Sequence, residues 1–168
     1  MTGRLLIAGV GNIFLSDDGF GVQVAAALAG ADLPDWAVVA DYGIRGMHLA
    51  HDLAASYDRA ILIDAAARGG APGTLYVIEP EPPGPAGDDA VSPLLDAHGM
   101  QPDVVLAMLA TLGGKCQVLV VGCEPATLEP GIGLSAPVQA AVSEAATLVT
   151  GLVQAAARQA GHRLAVTL

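Results

Sequence analysis

The 168-residue sequence is short of cysteine and short of positive charge, and each shortage removes a class of function. Its two cysteines are Cys116 and Cys123. If both lie on one strand, seven residues at ~3.3 Å each put them roughly 23 Å apart, beyond the reach of a disulfide. Their odd separation points them to opposite faces of that strand, so they read as core residues and not as a nucleophile. No four-ligand cysteine spacing of a buried structural metal site is present. Lys and Arg number 7 against 17 Asp and Glu, a net charge of −10. Without a basic stripe, neither nucleic acid nor an anionic membrane is an expected partner, whereas a cationic or metal-bearing one is acceptable.

Long apolar runs are missing too. Hydrophobic residues make up 53% of the chain and mean hydropathy is +0.54, yet no uninterrupted run reaches the roughly 18 residues of a membrane span. Much of that hydropathy is alanine. Ahead of Asp17 there is one arginine, a short apolar stretch and no small-residue cleavage site. No signal peptide is expected, and the protein is placed in the cytoplasm. The familiar hydrolase signatures are absent as well. Gly133-Leu134-Ser135-Ala136-Pro137 lacks the second glycine of a serine nucleophile elbow, and there is no H-E-x-x-H pair. Any hydrolysis would use metal- or carboxylate-activated water. No repeat or change of composition divides the chain, so residues 1–168 are read as one domain with enough chain for a full core.

What is present is an alternation of strand and helix. It is organised around residues 5–21, Leu-Leu-Ile-Ala-Gly-Val-Gly-Asn-Ile-Phe-Leu-Ser-Asp-Asp-Gly-Phe-Gly. An apolar strand runs from Arg4 to Val10, and a helix from Phe20 to Leu28. Strands follow at Trp36 to Asp41, Arg59 to Asp64, Thr74 to Ile78 and Cys116 to Gly122, with helices at Met47 to Ala55, Asp103 to Leu112 and Ser143 to Ala160. The continuous apolar character of the first strand suits a sheet covered on both faces. The expected fold is α/β: a three-layer αβα domain, its five-stranded twisted sheet mostly parallel with one antiparallel strand and helices on both faces. A Gly/Pro turn separates the third and fourth strands, which predicts an antiparallel hairpin between them. Pro80 to Asp96, proline-rich and acidic, is longer than an idle connection needs to be.

The opening stretch is not a dinucleotide fingerprint. Phe14 stands where the third glycine of G-x-G-x-x-G belongs. Asp17 and Asp18 occupy the positive start of the helix, where a phosphate would meet two like charges. Ionised oxygens at that position suit a cation; the competing reading is that Ser16 or Asp17 only caps the helix. Asp41 on the second strand and Asp64 on the third add carboxylates at the strands' carboxyl ends, where ligands of open α/β sheets bind. If the first three strands are neighbours, the oxygens of Asp18, Asp41 and Asp64 converge. One imidazole would complete the set. His98 stands between the long acidic loop and a helix. His48 and His51, three apart on a helix, could bind jointly or line a solvated face, and His162 reads as surface. Two acids and a histidine with open positions suit nickel or zinc, resident or carried in by a substrate.

These pieces, in order, resemble one family. Gly9-x-Gly11-Asn12, Asp17-Asp18-Gly19-x-Gly21, Asp64 after an apolar strand and His98 in Asp-Ala-His-x-Met-x-Pro are similar to the hydrogenase maturation endopeptidases. So are Ala71-Pro72-Gly73-Thr74, Val121-Gly122-Cys123-Glu124-Pro125, Leu128-Glu129-Pro130 and Gly133-Leu134-Ser135, and the likeness covers nearly the whole chain. The resemblance implies an endopeptidase that removes a C-terminal extension from the nickel-loaded large-subunit precursor of a nickel-iron hydrogenase. It implies Asp18, Asp64 and His98 as the catalytic and metal-binding trio, with nickel supplied by the precursor and other divalent metals able to substitute. Asp41, Gly43 and Asn12 become candidate substrate contacts. Where the family often has Gly-Thr after the aspartate matching Asp41, this chain has Tyr42-Gly43-Ile44-Arg45. Whether the metal polarises the scissile carbonyl or a carboxylate activates water stays open. The competing function is a nickel-binding maturation chaperone that cuts nothing.

Overall fold

The computed structural model describes residues 3–81 and 102–165, with side chains described as far as residue 160. Five strands form one sheet: β1 (Leu5–Val10), β2 (Ala37–Gly43), β3 (Arg59–Ala65), β4 (Leu75–Ile78) and β5 (Gln117–Cys123). Their order is β2-β1-β3-β5-β4, parallel except for the β4–β5 pair. The helices are α1 (Phe20–Leu28), α2 (Gly46–Ser56), α3 (Pro102–Thr111) and α4 (Ala136–Ala165). All six residues of β1 are buried, as expected of a central strand covered on both sides. One face carries α1 and α4 over Leu5, Ile7, Ile61, Ile63 and Val121. The other carries α2 and α3 over Leu6, Ala8, Leu62 and Val120.

The hairpin expected between β3 and β4 does not form. β5 takes the place beside β3 in parallel register, Arg59 opposite Gln117 through Ala65 opposite Cys123. β4 pairs with the far edge of β5, Leu75 opposite Cys123. The connection from β3 crosses close over β5, where a Cβ at Gly122 would lie 2.7 Å from that of Ala66. A turn of nine residues is slack enough to step over one strand, and β3 with β5 makes a seven-residue parallel register where β4 has only four residues to pair. The cysteines behave as expected. Both are free, Cys123 in the α1/α4 core and Cys116 against the α2/α3 core. Burial pushes both thiols up to about 11, so they stay protonated at neutral pH.

Helix α4 starts before the predicted Ser143. By length and composition alone its residues 136–160, with hydropathy 1.3, would suffice to cross a membrane. Its apolar stripe, Val138, Ala141, Val142, Ala145, Val149 and Val153, is instead buried in the α1/α4 core. Helix α1 lies against the sheet at backbone distance. A Cβ on Gly21 would sit 1.9 Å from the Ile63 carbonyl oxygen, and one on Gly9 2.4 Å from the Gly21 carbonyl oxygen. The missing third glycine of the dinucleotide pattern is therefore replaced by Gly9 and Gly21, which bring α1 and its preceding acids onto the ends of β1 and β3.

Candidate active site

The site is assembled from the segments that leave the carboxyl ends of the strands. After Val10 the chain turns at Gly11, whose φ of 132° is open to glycine. A Cβ there would lie 1.9 Å from the Asp18 carbonyl oxygen and 3.5 Å from Asp64 Oδ1. Gly11 thus sits between the Asp18 backbone carbonyl and the Asp64 carboxyl, and its lack of a side chain lets both approach. The Asn12 N–H donates to Asp18 Oδ2 at 2.8 Å, and Asn12 Oδ1 accepts from the Phe14 N–H at 2.9 Å. That closed turn aims the half-buried Asp18 back over β1.

Asp64 ends β3 and is only 5% exposed. It accepts the Ala65 N–H at 2.8 Å, its one hydrogen-bond partner among the described residues. Burial, and then the negative charge of Asp18, hold its carboxyl well above the usual carboxylate range, and the Ala65 N–H offsets this in part. A buried acid raised by a neighbouring acid suits two tasks. It can exchange a proton near neutral pH, or it can give that proton up to a cation placed between the pair.

The neighbouring Asp17 has a different fate. It is fully buried, and its carboxylate accepts from the Ser135 N–H (2.7 Å), Ser135 Oγ (2.9 Å), Ala126 N–H (2.8 Å) and Thr127 N–H (3.1 Å). Burial raises its pKa, but these donors outweigh burial and the carboxyl titrates below its ordinary value. It neither caps the helix start nor faces a cation. It fastens the loop after β5 to the loop after β1. The Leu15–Gly131 bridge and the bond from Ser16 Oγ to the Glu129 carbonyl (2.7 Å) fasten the same two loops.

A second anchor escaped the sequence reading. Glu124, just past β5, is buried and accepts the Arg68 and Gly69 N–H groups and the Tyr76 hydroxyl at 2.8, 3.2 and 2.9 Å. Those bonds, the Arg68 N–H first, outweigh desolvation and depress its pKa. Glu124 shapes the segment that follows Asp64. A carboxylate flanked by Cys and Pro at a strand end was the available signal.

β2, β1 and β3 are neighbours, the condition on which the carboxylates were expected to converge, and the negative charge of Asp18 acts on Asp64. Asp41 is exposed and lies within β2, paired with Gly9. Gly43, with φ 49°, accepts the Gly11 N–H at 3.0 Å through its carbonyl and so ties β2 to the turn. His48 and His51 lie on the exposed face of α2. His98 lies outside the described residues, as do residues 82–96 of the acidic loop, and the side chain of His162 is not among those described. Among the described residues no group of three or more His, Cys, Asp or Glu is placed to hold a metal.

A family model described as hydrogenase maturation protease, HycI, matches residues 22–152. The hydrogenase 2 maturation protease of Escherichia coli K12 is 35% identical over 166 residues, 95% of this chain and 99% of that protein. The chain belongs to the hydrogenase maturation protease family. It is accordingly a peptidase. Another relative, the hydrogenase expression/formation protein HupD of Rhizobium leguminosarum, is 36% identical over 84% of this chain and 70% of its own. Among solved structures, the hydrogenase maturating endopeptidase HybD of E. coli superposes with a TM-score of 0.70 at 34% identity, over 90% of this chain and 92% of that one. The protease therefore shares its α/β fold with a known maturating endopeptidase over most of both chains.

Proposed function

We propose that the protease removes a C-terminal extension from the nickel-loaded large-subunit precursor of a nickel-iron hydrogenase, and that the precursor's nickel gates the cut. The observation that carries this is the Asp18–Asp64 pair. Asp18, in the turn after β1, and Asp64, near the end of β3, both lie against Gly11, the first through its backbone carbonyl and the second through Oδ1, and the buried Asp64 has a pKa raised by burial and then by the Asp18 charge. Such a pair is costly to leave unpartnered, and an incoming divalent ion offsets that cost. Nickel accepts oxygen and imidazole ligands. Asp18 and Asp64 would supply the first, and the family resemblance assigns the second to His98. Other divalent ions could substitute.

In this reading the metal arrives with the substrate. Where the precursor seats no metal, Asp64 keeps its proton and the scissile segment is not held. Where it does, the pair is neutralised and the peptide bond is fixed at the rim. A carboxylate then takes a proton from the attacking water, and that proton passes to the leaving amine. Asp41, Gly43 and Asn12 border the turn and are assigned to substrate contact. The protein works in the cytoplasm.

The test is incubation of the protein with nickel-loaded and nickel-free precursor, followed by intact mass. Loss of a C-terminal peptide from the loaded form alone is the expected result. Equal trimming of both forms would refute gating. A loaded precursor that binds with unchanged mass would favour the chaperone reading.

A further inference from the structure

Among the described residues, the large apolar side chains left exposed are not scattered. Of the eight, six stand on the segments that leave the carboxyl ends of β1, β2 and β5: Ile13, Phe14, Ile44, Met47, Leu128 and Ile132. The others, Val77 and Leu112, lie on β4 and beyond the end of α3. Exposure is high at Ile132 (83%), Met47 (73%), Ile44 (62%) and Phe14 (61%). Folding does not account for them. Met47 opens α2, yet the residues α2 buries are Gly46, Leu49, Ala50 and Leu53. Ile132 sits between two glycines, on the strip bridged to Leu15. A monomer gains nothing by showing such residues to water, and a cluster of them marks a contact surface.

The loops that carry them are fixed around the acid pair. The bonds from the Gly131 N–H to the Phe14 carbonyl and from the Ser16 N–H to the Gly131 carbonyl, both 2.9 Å, hold Phe14 and Ile132 on neighbouring strips. The Gly11–Gly43 bond holds the Ile44–Met47 side against the same turn. The nearby cation is spent. The Arg45 guanidinium donates to the carbonyls of Asp41 and Tyr42 and lies over the Tyr42 ring, 5.5 Å from its centroid. The surface is therefore apolar at its edge and acidic at its centre, in a chain of net charge −10.

We infer that Phe14, Ile44, Met47, Leu128 and Ile132, with Ile13, form the docking rim for the substrate polypeptide. The rim selects an extended segment that carries apolar side chains on either side of the scissile bond and few acidic ones. A peptidase must seat a polypeptide at its reacting groups, and this surface is continuous with them. The acidic centre repels an acidic segment. This inference rests on the proposed function for the identity of the polypeptide, but not for the chemistry of the rim.

The experiment uses the full-length protein and nickel-loaded large-subunit precursor, with affinity measured by calorimetry and trimming by mass. The variants are the triple Phe14→Ser, Met47→Ser, Ile132→Ser and a control double, Val77→Ser, Leu112→Ser. Thermal melts verify that all are folded. The triple variant is expected to weaken precursor affinity at least about tenfold and to raise KM similarly with kcat little changed, while the double stays within about twofold of wild type. Precursor bound through the rim but never trimmed upholds the rim and rejects the proposed function. Precursor trimmed equally by wild type and triple variant overturns the rim and leaves that function standing. Precursor neither bound nor trimmed overturns both. The rim also falls if the triple variant abolishes only self-association, or only sedimentation with phosphatidylglycerol vesicles, since its occupant would then be a second copy or a lipid surface.

Discussion

Asp17 and Asp64 are both buried carboxylates at the same end of the same sheet, and they have been treated in opposite ways. Asp17 receives four donors and is held ionised. Asp64 receives one donor among the described residues, from its own neighbour in sequence, and feels the charge of a second acid, Asp18. The first has all it needs from within the chain. The second lacks a positive partner that the described residues do not provide. The carboxylate that builds structure is saturated, whereas the one proposed to meet a substrate is left wanting. The contrast separates Asp17 from Asp18, which a sequence shows only as identical neighbours.

The comparison can be broken from the Asp64 side first. Asp64→Asn or Asp18→Asn is expected to cut the rate of precursor trimming by about 10²–10⁴-fold, the range of a lost acid–base group, with far-ultraviolet dichroism unchanged. Trimming at the wild-type rate by either variant removes that residue from the site. On the Asp17 side the large effect falls on stability. Asp17→Ala strands the N–H groups of Ala126, Thr127 and Ser135, and denaturant unfolding should show a loss of about 2–4 kcal/mol. A loss below about 0.5 kcal/mol would mean that water replaces the carboxylate.

Two smaller effects sharpen the contrast. Asp64 is raised, so its ionisation costs stability as pH climbs above the ordinary carboxylate value of 3.8. Asp64→Asn should therefore be more stable than wild type at pH 7, by about 1 kcal/mol or about 2–4 °C in Tm, and the gain should vanish below that value. Asp17 is depressed, so its contribution is present above 3.8 and is lost as acid protonates it. Asp17→Asn should show the reverse profile, a deficit at neutral pH that narrows in acid. Parallel profiles for the two variants would contradict the distinction.

The sheet was legible because strands as apolar as Leu5–Val10 and Ala60–Ile63 leave no polar face, and because acids end the strands that turn out to be adjacent. The place of β4 was not. Nothing local distinguishes a hairpin from a connection that steps over β5, since that choice rests on long-range pairing. Gly9 and Gly21 were visible as residues, but their role is a helix–sheet distance that only coordinates give. Asp18 and Asp64 were singled out by charge placement and by likeness to the family, and they are the acids on which the proposed function rests. The roles of Asp17 and Glu124 were hidden because their donors are backbone groups far along the chain, which no motif encodes. His98, assigned by likeness, lies outside the described residues.

The tie between Asp17 and Ser135 joins residues near opposite ends of the chain. Contacts so distant in sequence close late, because the chain between them must be ordered first. On the ribosome, β1 and the Asp17-Asp18 turn emerge early, but the Ser135 donors of Asp17 follow only 118 residues later. A nascent chain that ends before Ser135 therefore carries the Asp17-Asp18 turn without those bonds to the loop after β5.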